Sequence, residues 1–225
     1  MRLMALSSTG PWGIKMNSFE TDMKRACMSV NFVAGLLLEC LILCLAGSDS
    51  ELFQISIPVL ACLPYSSAWL TDYQSGFIRQ YLPRCGITPY ILGKFLSCGI
   101  SGGALPAIAC FVWEQLGGSG EGEMAGKIPL VFLSGMLWAV VAATLAAASN
   151  SRYVAYGGSF VLFYMLVILY ERYFQSLYCL YPVEWFAPTH TWVFGDTGIV
   201  MMLVGLILIV GRLYGSILRR CIERA

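Results

Sequence analysis

The chain has 225 residues, of which 58% are hydrophobic and only 12% are charged, and its mean hydropathy is +0.71. Soluble domains carry about 25% charged residues, so this composition excludes a globule with a solvated surface and predicts an integral membrane protein. The net charge of +1 gives no electrostatic basis for a nucleic-acid partner, so the lipid bilayer is the expected surrounding.

The first predicted element is a helix over residues 14–29 that lies in the membrane interface. Asn17 followed by Glu20 is close to a capping box, which marks a helix start. Apolar residues recur at helical spacing along it, at Ile14, Phe19, Met23 and Cys27. Basic side chains occupy other positions of the same helix, a pattern typical of interfacial helices. The alternative is a solvated helix ahead of the membrane.

Six further segments are apolar enough to cross a bilayer, which takes about 17–25 residues per helix. They lack the alternation of barrel strands and are too long for them, so the predicted fold class is all-α. The segments cover residues 31–47, 54–70, 90–113, 128–148, 154–170 and 198–214.

The orientation follows from the distribution of lysine and arginine near the span ends. A cytosolic N-terminus places twelve of the fourteen basic residues on the cytosolic side and leaves Lys127 and Arg172 outside. Both termini and a loop over residues 72–89 are then cytosolic. The segment over residues 171–197 is external, and its many aromatic residues favour the membrane boundary.

Glu39 lies in the middle of the first predicted span. Because an ionised carboxylate in lipid is costly, we expect Glu39 to face the helix bundle. It is a candidate for lining a substrate path, relaying protons or bonding to another helix. No second buried charge is expected beside it. Two glycine pairs, Gly99 with Gly103 and Gly211 with Gly215, allow close helix packing within the chain or between two copies.

Motifs for enzyme chemistry are weak. Ser119 lies in a Gly-Gly-Ser-Gly stretch like the nucleophile motif of rhomboid intramembrane proteases, and His190 is the only histidine that could activate it. Ser119 is in a flexible acidic loop, however, so a surface turn is the better interpretation and a rhomboid-like protease is a remote alternative. One histidine and nine cysteines without a C-x-x-C pair predict no metal site.

The segment over residues 60–103 carries a series of residues spaced as in one transporter family. A Pro-Tyr pair near the end of the second span leads to an acidic residue, a glycine, a basic amphipathic helix, and then a tyrosine and a lysine in the third span. These positions are Pro64-Tyr65, Asp72, Gly76, Phe77-Ile78-Arg79, Tyr90 and Lys94. This pattern resembles the permease subunits of bacterial ATP-binding cassette (ABC) transporters of the type-2 exporter class. The N-terminal helix and the segment 181–186 are similar to that family as well.

The resemblance implies a permease of six transmembrane helices in the bacterial plasma membrane, paired with a second permease copy or a related one. A separate ATPase subunit would bind ATP and magnesium, so this chain would not be an enzyme. The 72–89 loop would be the coupling helix, with five contributing residues: Gly76, Phe77, Arg79, Tyr81 and Arg84. Phe77 and Tyr81 are four apart and share one helix face. The alternatives are a loop that only anchors the chain at the interface, and a stand-alone small transporter or immunity-type binding protein.

Overall fold

The computed structural model describes residues 11–78, 82, 86–117, 126–192 and 194–223, and these residues form helices and no strands. The all-α class is therefore confirmed. In chain order the helices are α1 (Pro11–Cys27), α2 (Val30–Ala46), α3 (Glu51–Leu60), α4 (Ala68–Gln74), α5 (Ile87–Gln115), α6 (Ile128–Ser149), α7 (Arg152–Arg172) and α8 (Asp196–Glu223). Two 3₁₀ turns, Tyr178–Leu180 and Pro182–Trp185, lie between α7 and α8.

Four helices among the described residues are long and apolar enough to cross a membrane, namely α5, α6, α7 and α8. A fifth crossing is obtained if α1 and α2 count as one span bent by 50°. The bend falls where Ser29 caps α2 by accepting the Phe32 N–H at 3.1 Å. Helices of this length and composition are those of a membrane protein.

The segment 54–70, predicted as one continuous span, is broken. Helix α3 ends at Leu60, residues 61–67 form consecutive turns, and α4 begins at Ala68. Proline cannot donate to the helical hydrogen-bond ladder, and the break follows Pro58 inside α3 and contains Pro64. Prolines are tolerated here because the segment is packed inside the bundle, with Ile57, Ala61 and Cys62 almost fully buried.

Helices α5 and α6 form the centre of the bundle and approach each other through glycines. A Cβ added to Gly102 of α5 would clash with the Cβ of Ala139 in α6, and one added to Gly135 of α6 would lie 2.9 Å from Pro106 of α5. Only glycine permits such close backbone contact. Both predicted glycine pairs serve contacts within the chain, since Gly99 faces α6 and a Cβ on Gly211 would lie 2.7 Å from the Phe95 ring of α5.

Helices α2, α7 and α8 lie at the periphery and expose long apolar side chains. Helix α7 buries only Ala155, Ser159 and Phe163 among its 21 residues. Such surfaces are unfavourable in water and suited to acyl chains. The exposed residues include Leu37, Leu41 and Leu45 of α2, Val161, Met165 and Ile168 of α7, and Met201, Leu208 and Ile209 of α8.

The described loops gather at two ends of the bundle. The connection after α4 and the one between α6 and α7 share one end, where Arg152 donates to Gln74 at 3.0 Å. We call this the basic end, because Lys24, Arg25 and Arg152 lie there. The turn before α3 and the α7–α8 segment share the opposite end, where Phe53 meets Phe186 at 6.4 Å.

Candidate functional site

Lys94 is the centre of a buried ionic cluster at the basic end. Its side chain is 2% exposed although it is a lysine within an otherwise apolar helix, α5. The ammonium donates to Asp22 Oδ1 at 3.0 Å, contacts Asp72 Oδ2 at 2.7 Å and donates to the Tyr65 hydroxyl at 2.7 Å. A lysine ammonium has three donors, so this geometry uses all of them.

Two tyrosines complete the hydrogen bonding of the carboxylates. The Tyr65 hydroxyl accepts from Lys94 and donates to Asp22 Oδ1 at 2.6 Å, while the Tyr90 hydroxyl donates to Asp72 Oδ2 at 3.1 Å. The Lys94 nitrogen also lies 4.8 Å from the centroid of the Tyr65 ring and 5.7 Å from that of Tyr90. The two rings therefore surround the cation with aromatic faces, which attract it.

Asp22 enters the cluster from α1, on a buried face of that helix that was not predicted. Among residues 19–27 of α1, Asp22 and Ala26 are buried against the bundle, whereas Cys27, on the predicted apolar face, is exposed and free to lie in the interface. Asp22 and Ala26 are four apart and therefore share one face. Ala26 is small enough to let α1 lie directly on α5, so that the short aspartate reaches Lys94.

Asp72 links the cluster to the predicted coupling loop. It lies in the last turn of α4, three residues before Ser75 and four before Gly76. Its Oδ1 is 3.9 Å from an Arg25 nitrogen at the surface, and the Arg25 guanidinium lies 5.7 Å from the centroid of the Phe77 ring. A continuous set of contacts thus joins the first residues of the loop to α1 and, through Asp72, to α5.

The charges of the cluster are balanced only if all four ionic groups are present. Asp22 and Asp72 contribute two negative charges, Lys94 one positive charge, and Arg25 a second positive charge at the rim. Removing one partner of a buried ion pair costs about 3–5 kcal/mol, because the remaining charge stays desolvated. Retaining such a cluster in a membrane helix is a mark of function.

The structure describes two of the five predicted coupling residues. Gly76 has φ +70°, the left-handed region that favours glycine, and nothing lies within 4 Å of its Cβ direction. Phe77 is partly exposed, at 36%, and its neighbour Ile78 is buried against the bundle. Arg79, Tyr81 and Arg84 lie outside the described residues, so the shared face of Phe77 and Tyr81 stays a prediction.

Glu39 faces the helix bundle, as predicted, and its side chain is fully buried. Oε1 accepts a hydrogen bond from the Ser56 hydroxyl of α3 at 2.9 Å, whereas Oε2 has no hydrogen-bond partner among the described residues. The expectation that no second charge is buried is wrong, because Asp22, Asp72 and Lys94 are also buried. A role of Glu39 in a substrate path stays a prediction.

A second polar cluster holds the α7–α8 segment at the opposite end. Glu184 is almost fully buried and accepts hydrogen bonds from the Thr189 hydroxyl, the Thr189 N–H at 3.0 Å and His190 Nδ1 at 2.8 Å. Burial raises the pKa of the Glu184 carboxyl, but the hydrogen bonds from Thr189 and His190 outweigh it, so the pKa lies below its ordinary value. His190 also stacks on Tyr178 at 5.7 Å. Ser119 lies outside the described residues.

Sequence reasoning had two signals for the ionic cluster and did not combine them. One signal is the position of Lys94, which counts among the basic residues of the cytosolic side but lies four residues inside the predicted span 90–113. Four of the family-like positions, Tyr65, Asp72, Tyr90 and Lys94, converge in the cluster. Asp22 was not predicted, because its partner is 72 residues away in the chain.

Within the described ranges, no three His, Cys, Asp or Glu side chains are grouped so that they could hold a metal ion. No protein-family model and no curated protein matches the chain. The chemistry that the described cluster offers is therefore ionic: a lysine shared by two carboxylates, at the junction of the N-terminal helix, the loop after α4 and the central helix α5.

Proposed function

We propose that this chain is the membrane-spanning permease subunit of an ATP-driven ABC exporter of the bacterial plasma membrane. It forms the substrate path as a dimer with a second permease, and a separate ATPase subunit, which binds ATP and magnesium, drives it through the 72–89 loop. The chain itself performs no catalysis.

The observation that supports this proposal best is the ionic link between the loop and the bundle. Asp72 stands at the entry of the loop and contacts Lys94 in α5, which in turn holds Asp22 of α1. A partner that moves the loop would act on Asp72 directly, and the buried ion pairs would transmit that movement into α5, the centre of the bundle. A loop that only anchored the chain would not need this link.

The path of the broken segment supports six crossings. Glu51 lines a groove at the opposite end together with Tyr181 and Val183, whereas Asp72 reaches Lys94 at the basic end. Residues 51–74 therefore run from one end of the bundle to the other, and we count them as the second crossing. Together with the bent α1–α2 pair and with α5, α6, α7 and α8, this gives six crossings, and the first helix α1 and the end of α8 lie at the basic end. The positive-inside rule assigns that end to the cytosol.

Cysteine labelling tests this topology. In a cysteine-free variant, single cysteines at Ser75 and Arg152 are expected to react only with reagent on the cytosolic side, and one at His190 only with external reagent. Labelling of position 75 from outside would contradict both the orientation and the assignment of the loop to an ATPase.

Co-purification from native membranes tests the proposed partner. Affinity-purified chain should bring with it a protein that contains nucleotide-binding motifs and hydrolyses ATP. A Phe77→Ala variant should no longer co-purify with this partner, because loss of an anchor residue weakens binding by about 2 kcal/mol. The matched control is Phe174→Ala, which removes a similarly exposed phenylalanine, 45% exposed, from the opposite end.

A further variant separates anchoring from internal support, because Phe77 also contacts Arg25. Arg25→Gln removes the cation from the Phe77 ring and from Asp72 but leaves the aromatic side chain. If Phe77 binds the ATPase, Arg25→Gln retains the partner. If both variants lose it equally, Phe77 acts by holding α1 and not by contacting a partner.

A stand-alone transporter is the second candidate, and the buried ionisable groups favour it. Glu39 with its unpartnered Oε2, together with Lys94 and its two aspartates, could carry coupling ions. Purified chain in proteoliposomes would then transport substrate in response to an ion gradient without ATP or an ATPase. The ABC proposal expects no transport under those conditions.

A further inference from the structure

A cleft of about 410 Å³ opens at the basic end between the start of α5 and the end of α8. Two arginines, two hydroxyl side chains and two glycines line it: Thr88, Gly211, Arg212, Gly215, Ser216 and Arg219. Arg212 and Arg219 are seven residues apart, so they share one face of α8 about 10.5 Å apart along its axis.

The two arginines have no anionic partner within the described part of the chain. Both are exposed, and no described carboxylate lies within 4.0 Å of either guanidinium. The Ser216 hydroxyl donates to the Arg212 carbonyl oxygen at 2.9 Å, so its oxygen still has room to accept. Guanidinium groups bind phosphate oxygens through paired hydrogen bonds, so the cleft has the charge and the donors for a phosphate group.

The sides of the cleft are apolar. Ile91 and Leu92 of α5 line it, and Leu92 and Leu96 continue an exposed apolar strip along α5. On α8 the exposed Leu208, four residues before Arg212 and on the same face, continues it toward the bilayer centre. A free inorganic anion would gain nothing from these side chains. A ligand with a phosphate at one end and acyl chains at the other would cover the strip and pair with the arginines at once.

The depth of the cleft fits a phospholipid headgroup. If the hydrocarbon core begins near Gly198, about 30 Å of helix ends close to residue 217. The Arg212 backbone then lies about 7.5 Å inside the hydrocarbon boundary, a depth from which a long arginine side chain can extend to the headgroups, and Arg219 lies about 3 Å outside it. We propose that this cleft binds the phosphate of an anionic phospholipid, with its acyl chains along α5 and α8. The proposal rests on the membrane location proposed above and not on an ATPase.

Lipid binding to the purified full-length chain tests the proposal. Native mass spectrometry in a neutral detergent would compare phosphatidylglycerol with phosphatidylcholine of the same acyl chains, and inorganic phosphate would be added as a competitor. Tighter binding of phosphatidylglycerol is expected, with little competition from inorganic phosphate. Equal binding of the two lipids would overturn the proposal, and so would displacement by inorganic phosphate alone, which would indicate a simple anion site.

Two neighbouring arginines give a matched pair of variants. Arg219→Gln removes a cation from the cleft, whereas Arg220→Gln removes the same charge from the next residue of α8, which is also exposed but does not line the cleft. We expect Arg212→Gln and Arg219→Gln each to weaken phosphatidylglycerol binding about fivefold, from the attraction of one basic residue near a membrane surface. Arg220→Gln should change it less than twofold. Equal effects of Arg219→Gln and Arg220→Gln would show general electrostatic attraction and refute a site.

A steric variant tests the cleft without changing charge. A Cβ at Gly215 would lie 3.7 Å from Ile91, so Gly215→Leu keeps ordinary contact at Cβ while its outer carbons fill the cleft. Gly205→Leu is the control, because nothing lies within 4 Å of its Cβ direction. Loss of phosphatidylglycerol selectivity in Gly215→Leu alone supports the site, and unchanged binding overturns it. If Gly215→Leu does not fold, the arginine pair decides.

The failure of this inference can be distinguished from failure of the proposed function. Release of the chain from membranes by alkaline carbonate would contradict the membrane location, and absence of a co-purified ATPase would contradict the transporter assignment. Both of those experiments are independent of lipid selectivity, which is measured in detergent with the arginine and glycine variants.

Discussion

Lys94→Met is expected to destabilise the protein more than any surface charge change. Methionine has a similar length, so the substitution removes the ammonium without leaving a large cavity. It leaves the Asp22 and Asp72 carboxylates buried at 8% and 10% exposure, without the cation that lies within 3.0 Å of both. Breaking a buried ion pair in this way costs about 3–5 kcal/mol. For a chain of this size, that lowers the unfolding midpoint by about 6–20 °C.

Thermal unfolding in detergent, followed by tryptophan fluorescence at a fixed heating rate, measures the effect. The matched control is Lys24→Met, which removes the same ammonium from an ion pair with Glu20 at 2.6 Å. Both members of that pair are largely exposed, at 68% and 62%, and water screens exposed pairs. The control is therefore expected to leave the midpoint unchanged.

A triple variant separates the loss of charge balance from the loss of packing. Replacing both aspartates by asparagine in the Lys94→Met background removes the two uncompensated charges and keeps the shape of the side chains. Most of the lost stability should return, because buried ion pairs replaced as a set are often neutral in effect. The reasoning is refuted if Lys94→Met unfolds within 2 °C of Lys24→Met, or if the triple variant is no more stable than Lys94→Met.

Three other predictions concern the rest of the bundle. Because the fold lowers the pKa of Glu184, its ionised carboxylate stabilises the α7–α8 segment at pH values above the ordinary carboxyl pKa, and this stabilisation is lost as the pH falls below about 4. The segment should then become more sensitive to proteolysis at low pH, and Glu184→Gln should remove that pH dependence. Gly102→Ala should cost about 1–3 kcal/mol by overpacking, measured as a lowered unfolding midpoint, whereas Gly157→Ala meets nothing within 4 Å and should not. Glu39→Gln should keep the midpoint within 2 °C because glutamine still accepts the serine hydrogen bond; a larger loss would show that the charge itself is structural.

The helical class and much of the helix pattern could be predicted because apolar runs of span length have few other ways to satisfy their backbone. The burial of Glu39 followed from the same physics, since a short carboxylate in the middle of a span cannot reach water. The helix break at residues 61–67 was also signalled, by Pro58 and Pro64, but prolines are tolerated in membrane helices and the sequence does not say which of them interrupts one.

The ionic cluster could not be predicted with the same means. Asp72 and Lys94 lie near predicted span ends and Asp22 lies in the predicted interfacial helix, positions where a charge is ordinarily satisfied by water or lipid headgroups. The packing of α1 on α5, through Ala26, brings Asp22 to Lys94, and Asp72 reaches the same lysine from α4. That contact depends on tertiary structure across 72 residues of chain, and helical periodicity contains no information about it.

Photocrosslinking from the proposed coupling loop tests the central claim most directly. A benzoylphenylalanine in place of Phe77, activated in intact cells, reports which protein touches the loop, and the same residue in place of Phe174 is the control at the opposite end. The account predicts that position 77 crosslinks to a chain with nucleotide-binding motifs, and that position 174 does not. No such adduct from position 77, in cells where the chain is folded and active, would contradict an ATPase acting through this loop.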